Sequence, residues 1–194
     1  AALLDDTGTR ESEGSAMGVR AASLEDEIDF IGDEILETIF RTAKEEIARG
    51  KYAEGIALLE DAYDWATDEN ESILLYYIGF CYNELGKDAL SISYLVEILA
   101  DPEMPFYSEY VILYGSLLMN SFAHDQALGI FMEYFTHMTP ETSAEYQDIS
   151  YLTALCYMHQ NNIDKTYAYL KKAKTIDPLS ETGKRAGLLM QEFE

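Results

Sequence analysis

The chain has 194 residues, 48% of them apolar, which suits one domain or a compact array with a sizeable core. Thirteen Lys and Arg face 36 Asp and Glu, a net charge of −23. Such a field repels phosphate backbones and anionic head groups and attracts basic partners, so nucleic acid is not an expected ligand.

Residues 1–22 are rich in Gly, Ser, Thr and acids without apolar periodicity, and they read as disordered. The opening AALLDD has neither a methionine nor a basic, apolar signal segment, so a mature or trimmed form is expected; EGSAMG at 13–18 resembles a cloning remnant. Ser23 then opens a long helix, with Asp26 three residues on in a capping-box pattern. Ile28, Ile31, Ile35, Ile39, Ala43 and Ile47 follow at helical spacing, and Gly50 ends the run. A second helix covers Tyr52 to about Trp65 before the polar turn TDENES, whose Asn70-Glu-Ser also fits a glycosylation acceptor.

The same arrangement recurs. A helix from about Ser72 ends at Gly86 and its partner runs to Leu99, closed by ADPEMP. A third pair covers Ser108 to Met138 and a fourth about Gln147 to Ile176, each followed by a proline break. A last helix near Glu181 to Phe193 carries Leu188, Leu189 and Phe193 on one side. Ala43, Gly79, Gly115 and Ala154 are 36, 36 and 39 residues apart, and Leu59, Leu95, Phe131 and Leu170 keep the same three spacings. Two helices per unit at this period predict a helical solenoid.

The unit pattern resembles the tetratricopeptide repeat family. Leu75, Ile78, Gly79 and Tyr82 followed by Ser91 and Leu95 fit its motif, as do Val111, Tyr114, Gly115, Leu118, Ala127 and Phe131. Ala154, Tyr157, Thr166, Leu170 and Pro178 give a further unit, while Ala43, Gly55, Leu59 and Ala62 give the weakest one; no unit has the family's tryptophan. The resemblance implies an all-α, right-handed solenoid of about four helix-turn-helix repeats, near 36–69, 72–105, 108–141 and 147–180. The long N-terminal helix precedes them, and a cap at 181–194 completes a domain spanning 23–194. It also assigns Gly79 and Gly115 to helix crossings, and Gly50, Gly86 and Asn161 to the turns.

Readings that involve chemistry fail on spacing. Six residues separate Gly79 from Gly86, and Asp88 follows Lys87, so the GK ending is no phosphate loop. Cys81 and Cys156 fall in equivalent places two units apart, beyond the ~7 Å reach of a disulfide, and read as buried free thiols. Two free thiols lean toward a reducing, cytoplasmic setting. His124, His137 and His159 show no zinc spacing. With no catalytic constellation, metal set or cofactor motif, the expectation is a non-enzymatic protein. No run of 18 apolar residues predicts a membrane span.

The family's inner groove, lined by each unit's first helix, then becomes the candidate site. Its residues here would be Phe40, Lys44, Tyr76, Tyr77, Phe80, Asn83, Ile112, Ser116, Met119, Tyr151, Leu155 and Met158, an apolar and aromatic lining. The family's carboxylate clamp would need several cations, and at the matching places Lys44 is the only one beside Phe40, Tyr77, Glu109 and Leu113. The resemblance and the acidic charge together lead to the expectation of a protein-interaction scaffold or chaperone-like adaptor that holds an apolar or amphipathic, basic-flanked protein or peptide segment in that groove. The alternative is a structural module in which the groove or an end helix contacts another copy.

Overall fold

A computed structural model describes residues 34–67, 70–98, 100–138 and 143–193. The disordered reading of residues 1–22, and the Ser23 start of the first helix, lie outside the described residues. Among the described residues there are nine α-helices in chain order: α1 Glu34–Ala48, α2 Tyr52–Tyr63, α3 Glu71–Glu84, α4 Asp88–Leu95, α5 Tyr107–Asn120, α6 His124–His137, α7 Ala144–His159, α8 Ile163–Ile176 and α9 Glu181–Met190. A 3-10 turn at Gln191–Phe193 comes last, and no strand occurs among the described residues. Each helix packs on its chain neighbour, and α7 also packs on α5 and on α9, giving a right-handed solenoid of four pairs and a final helix.

Within each pair the first helix turns into the second in the same way. Gly50, Gly86, Phe122 and Asn161 have φ of 76, 68, 61 and 56°. The next residue's N–H then reaches back over the helix end: Lys51 to the Glu46 carbonyl at 2.9 Å, Lys87 to Tyr82 at 2.9 Å, Ala123 to Leu118 at 2.8 Å and Asn162 to Tyr157 at 2.9 Å. These bonds satisfy carbonyls left over at a helix end, the usual role of a left-handed closing residue. In the third pair this place is taken by an exposed phenylalanine.

The small residues lie at the crossings. A Cβ built on Gly79 would sit 2.8 Å from Leu95 Cγ and Cδ2, and one on Gly115 would overlap the Phe131 ring. Ser91, at the matching place in α4, donates its hydroxyl to the Gly79 carbonyl at 2.7 Å inside the core. Ala43, Leu59, Leu95, Ala127, Ala154, Phe131 and Leu170 are all fully buried. Close approach of paired backbones offsets the ~1 kcal/mol that a mid-helix glycine costs relative to alanine.

Several local expectations change. The second helix of the second pair stops at Leu95 rather than Leu99. The chain then doubles back so that Ile98, Met104 and Phe106 enter the core, which a continuing helix would carry past it. Asn70 is buried, and its side-chain oxygen accepts from the Thr67 N–H at 2.8 Å, so it holds the turn instead of presenting a glycan acceptor. In α9 the buried face is Thr182, Gly183, Ala186 and Met190, while Leu188 is exposed.

Candidate functional site

The unit spacing arranges the twelve candidate residues into rows. Phe40, Tyr76, Ile112 and Tyr151 follow one another at 36, 36 and 39 residues, as do Lys44, Phe80, Ser116 and Leu155. Asn83, Met119 and Met158 form a third row at the last two of those intervals. All lie on α1, α3, α5 and α7.

Burial grades across the rows. Phe40, Tyr76 and Ile112 are buried and only Tyr151 is half-buried, so the first row is a packed floor. Lys44, Phe80, Ser116 and Leu155 are half-buried, and the third row rises through half-buried Asn83 and Met119 to exposed Met158. Tyr77 is buried between the rows. The candidates accessible to solvent are thus the second and third rows with Tyr151, while Phe40, Tyr76, Tyr77 and Ile112 are packed in the core and present little surface to a ligand.

Aromatic packing builds that floor. Phe40 meets Tyr77 edge-on with centroids 5.3 Å apart, Tyr77 meets Tyr76 at 5.0 Å, and Phe106 stacks on Tyr76 at 5.0 Å. Phe106 comes from the connection after α4 and was not among the sequence candidates. Tyr52 on α2 was likewise missed; its ring lies 6.4 Å from that of Phe80 and its hydroxyl donates to Glu84 at 3.1 Å. Lys44 stands 4.1 Å from the Tyr77 ring centroid and donates to the Tyr77 hydroxyl.

Polar chemistry in the groove is sparse. The Ser116 hydroxyl oxygen is buried and has no hydrogen-bond partner among the described residues, an unusual state for a buried polar group. Tyr151 is pushed above the usual tyrosine range by burial, while the nearby Arg185 charge opposes the shift. Arg185 of α9, which also pairs with Glu181 at 3.1 Å, is a residue near this end of the rows that helical spacing within one unit did not indicate.

The other chemical candidates stay apart. Cys81 and Cys156 are buried free thiols, each pushed up to about 12, chiefly by burial. His124 and His159, distant in sequence, stack with centroids 3.8 Å apart and planes 3° from parallel. Gln160 donates to Asp125 at 2.8 Å across the same α6–α7 contact. No group of three metal-ligating side chains occurs among the described residues. No helix there is long and apolar enough to cross a membrane.

No protein-family model matches the sequence, and no curated protein does. Solved structures do match. A MamA RS-1 ArsTM double mutant is similar with a TM-score of 0.66 at 16% identity, covering 84% of this chain and 86% of that one. YrrB, described as a TPR protein with an unusual peptide-binding site, gives 0.61 at 21% identity over 78% of this chain and 74% of its own. MamA 41-end from Desulfovibrio magneticus RS-1 gives 0.61 at 15% identity over 84% and 98%. At such identities the likeness establishes architecture alone, and it agrees with the repeated crossings and turns: the chain has the tetratricopeptide repeat fold.

Proposed function

We propose that the protein is a binding scaffold that holds an extended or helical protein segment along the second and third rows of the groove. The observation that carries this reading is the run of solvent-accessible apolar side chains on successive first helices, Phe80, Met119, Tyr151, Leu155 and Met158. They offer apolar and aromatic contact: Phe, Tyr and Met are enriched at interfaces, and Tyr is among the types that dominate hot spots.

An amphipathic segment with basic flanks suits this surface. Its apolar side meets the row, and its flanks meet a chain of net charge −23 with exposed Glu84 beside the Tyr52–Phe80 edge. The same properties suit a chaperone-like adaptor for hydrophobic cargo, and the peptide-binding site named for YrrB supports a ligand of this class.

The test begins with the partner retained from a native extract, remade as a pure segment for calorimetry. Phe80→Ala with Tyr151→Ala should weaken binding by about 1–4 kcal/mol per true hot spot. Ser116→Ala should raise thermal stability, because it removes a buried hydroxyl that has no partner in the free protein. A folded double variant that binds as tightly as wild type removes the groove from consideration.

A further inference from the structure

The charge of this chain is segregated. From Asp88 to Asp164 there are 11 acidic residues and no Lys or Arg, whereas Lys165 to Arg185 holds 6 basic residues and 2 acidic ones. The two acids of that basic stretch are already engaged. Asp177 accepts from the N–H groups of Leu179 and Ser180 at 2.9 and 3.2 Å, and Glu181 pairs with Arg185 at 3.1 Å.

The five lysines there, on α8 and at the start of α9, pair with no carboxylate among the described residues. Two rest on aromatic groups: Lys165 lies 4.7 Å from the Tyr157 ring centroid and Lys172 lies 4.5 Å from that of Tyr169. The stem of Lys174 passes over α9, with Cε 3.4 Å from where a Cβ on Gly187 would stand. It thereby comes beside the turn of α9 that carries Lys184 and Leu188. Lys171, Lys174 and Lys184 are exposed, and so are two large apolar side chains nearby in the chain, Leu179 at 77% and Leu188 at 66%. In a protein with nearly three acids per base, a face of uncompensated lysines flanked by exposed leucines is shaped for an anionic surface that also offers apolar contact.

The chain itself displays such a surface. Where α4 stops at Leu95, Val96 is 59% exposed, and Glu97, Asp101 and Glu103 are exposed around the connection to α5. We propose that the basic face of α8 and α9 docks on this acidic connection of a second copy of the chain. The two patches differ, so the contact is head-to-tail and propagates unless the rotation closes a ring. An anionic bilayer would suit the lysines less well. Both targets repel the 34 acids and 7 bases outside residues 165–185, but a second copy holds Glu97, Asp101 and Glu103 at fixed places beside exposed Val96, where the lysines can pair with them. This contact is separate from the groove, and each surface can be lost without the other.

Sedimentation velocity over a concentration series tests it, in salt of about 10 mM and about 1 M, where the screening lengths are ~30 and 3 Å. The weight-average mass of wild type should rise with concentration at low salt and return to the protomer at high salt. Lys171→Glu/Lys174→Glu/Lys184→Glu should stay protomeric at low salt, as should Glu97→Lys/Asp101→Lys/Glu103→Lys. An equimolar mixture of the two should associate again, because each supplies the charge that the other has reversed. The proposal is overturned by a wild type that remains protomeric at low salt, by either variant associating like wild type, or by a mixture that stays protomeric. A protomeric wild type that floats with phosphatidylglycerol vesicles would transfer the face to lipid and overturn it equally. If a triple variant fails to fold by circular dichroism, wild-type association that survives high salt is decisive against it.

Discussion

Gly79 and Leu95 share one space: a side-chain carbon on the glycine would stand 2.8 Å from both Cγ and Cδ2 of the leucine. Ser91 completes the contact by donating to the Gly79 carbonyl. Gly79→Leu, and Gly115→Leu against the Phe131 ring, should therefore lower stability by about 1–3 kcal/mol or more. Gly129 in α6 is the control, since nothing lies within 4 Å of a Cβ there. Gly129→Ala should raise stability by roughly 0.5–1 kcal/mol. Chemical denaturation of the three variants reads both signs.

Phe122 occupies a left-handed backbone position at φ 61° that the other pairs give to Gly50, Gly86 and Asn161. Its ring is 84% exposed, so little packing offsets the conformation. Phe122→Gly should stabilise the fold by about 1 kcal/mol, the order of the left-handed penalty for a residue with a Cβ. A melting temperature that falls would show that the ring contributes more than its exposure implies.

Asp148 links α7 to the final helix through a hydrogen bond that the Thr182 hydroxyl donates to it. Burial raises its pKa, with the Thr182 bond opposing and Glu145 adding. A folded pKa above the unfolded one means that the native state holds the proton more tightly. This group's stabilising contribution is thus complete below the unfolded pKa and is lost as pH rises through the folded one. At neutral pH the ionised, partly buried carboxylate destabilises. Asp148→Asn keeps an acceptor for Thr182 without the charge and should melt at higher temperature at pH 7. The gap from wild type should close as pH falls toward about 3.9.

Cys81 and Cys156 are buried and pushed up to about 12. Thiolate is the reactive form, so a disulfide reagent at neutral pH should label neither in the native protein and both on unfolding. Rapid labelling of one thiol before the global transition would locate local opening at its helix.

The architecture was legible because its signals are local and recur. The crossings at Ala43, Gly79, Gly115 and Ala154, and three of the four turn residues, are small or turn-forming types at one set of spacings. Phe122 escaped because its residue type argues against a left-handed turn, and only the neighbouring hydrogen bonds identify it. The depth of the groove was less legible. α3 is apolar nearly all round, with Ile73 through Gly79 buried in succession, so periodicity could not tell a floor residue such as Tyr76 from a presented one such as Phe80. Phe106, Tyr52 and the His124–His159 stack arise from contacts between distant segments, which no spacing within one helix encodes.

The fully buried interior divides toward the C-terminal end of the solenoid, where half-buried Tyr169 bridges to Phe135 with ring centroids 5.6 Å apart. One cluster runs from Leu36 to Cys156, whereas Ala154, Leu170, Ala173, Ala186 and Met190 form a second, smaller one at the C-terminal end. Units that touch only their neighbours unfold by nearest-neighbour rules, so a boundary between two interiors is where cooperativity weakens. The last two helices are then expected to open at a lower free energy than the first three pairs. Amide protons of α8 and α9 would exchange through that partial opening, ahead of those in α3 and α5. Since α9 also places Arg185 near Tyr151, the same opening would withdraw that charge from the tyrosine, tying its ionisation to a local equilibrium.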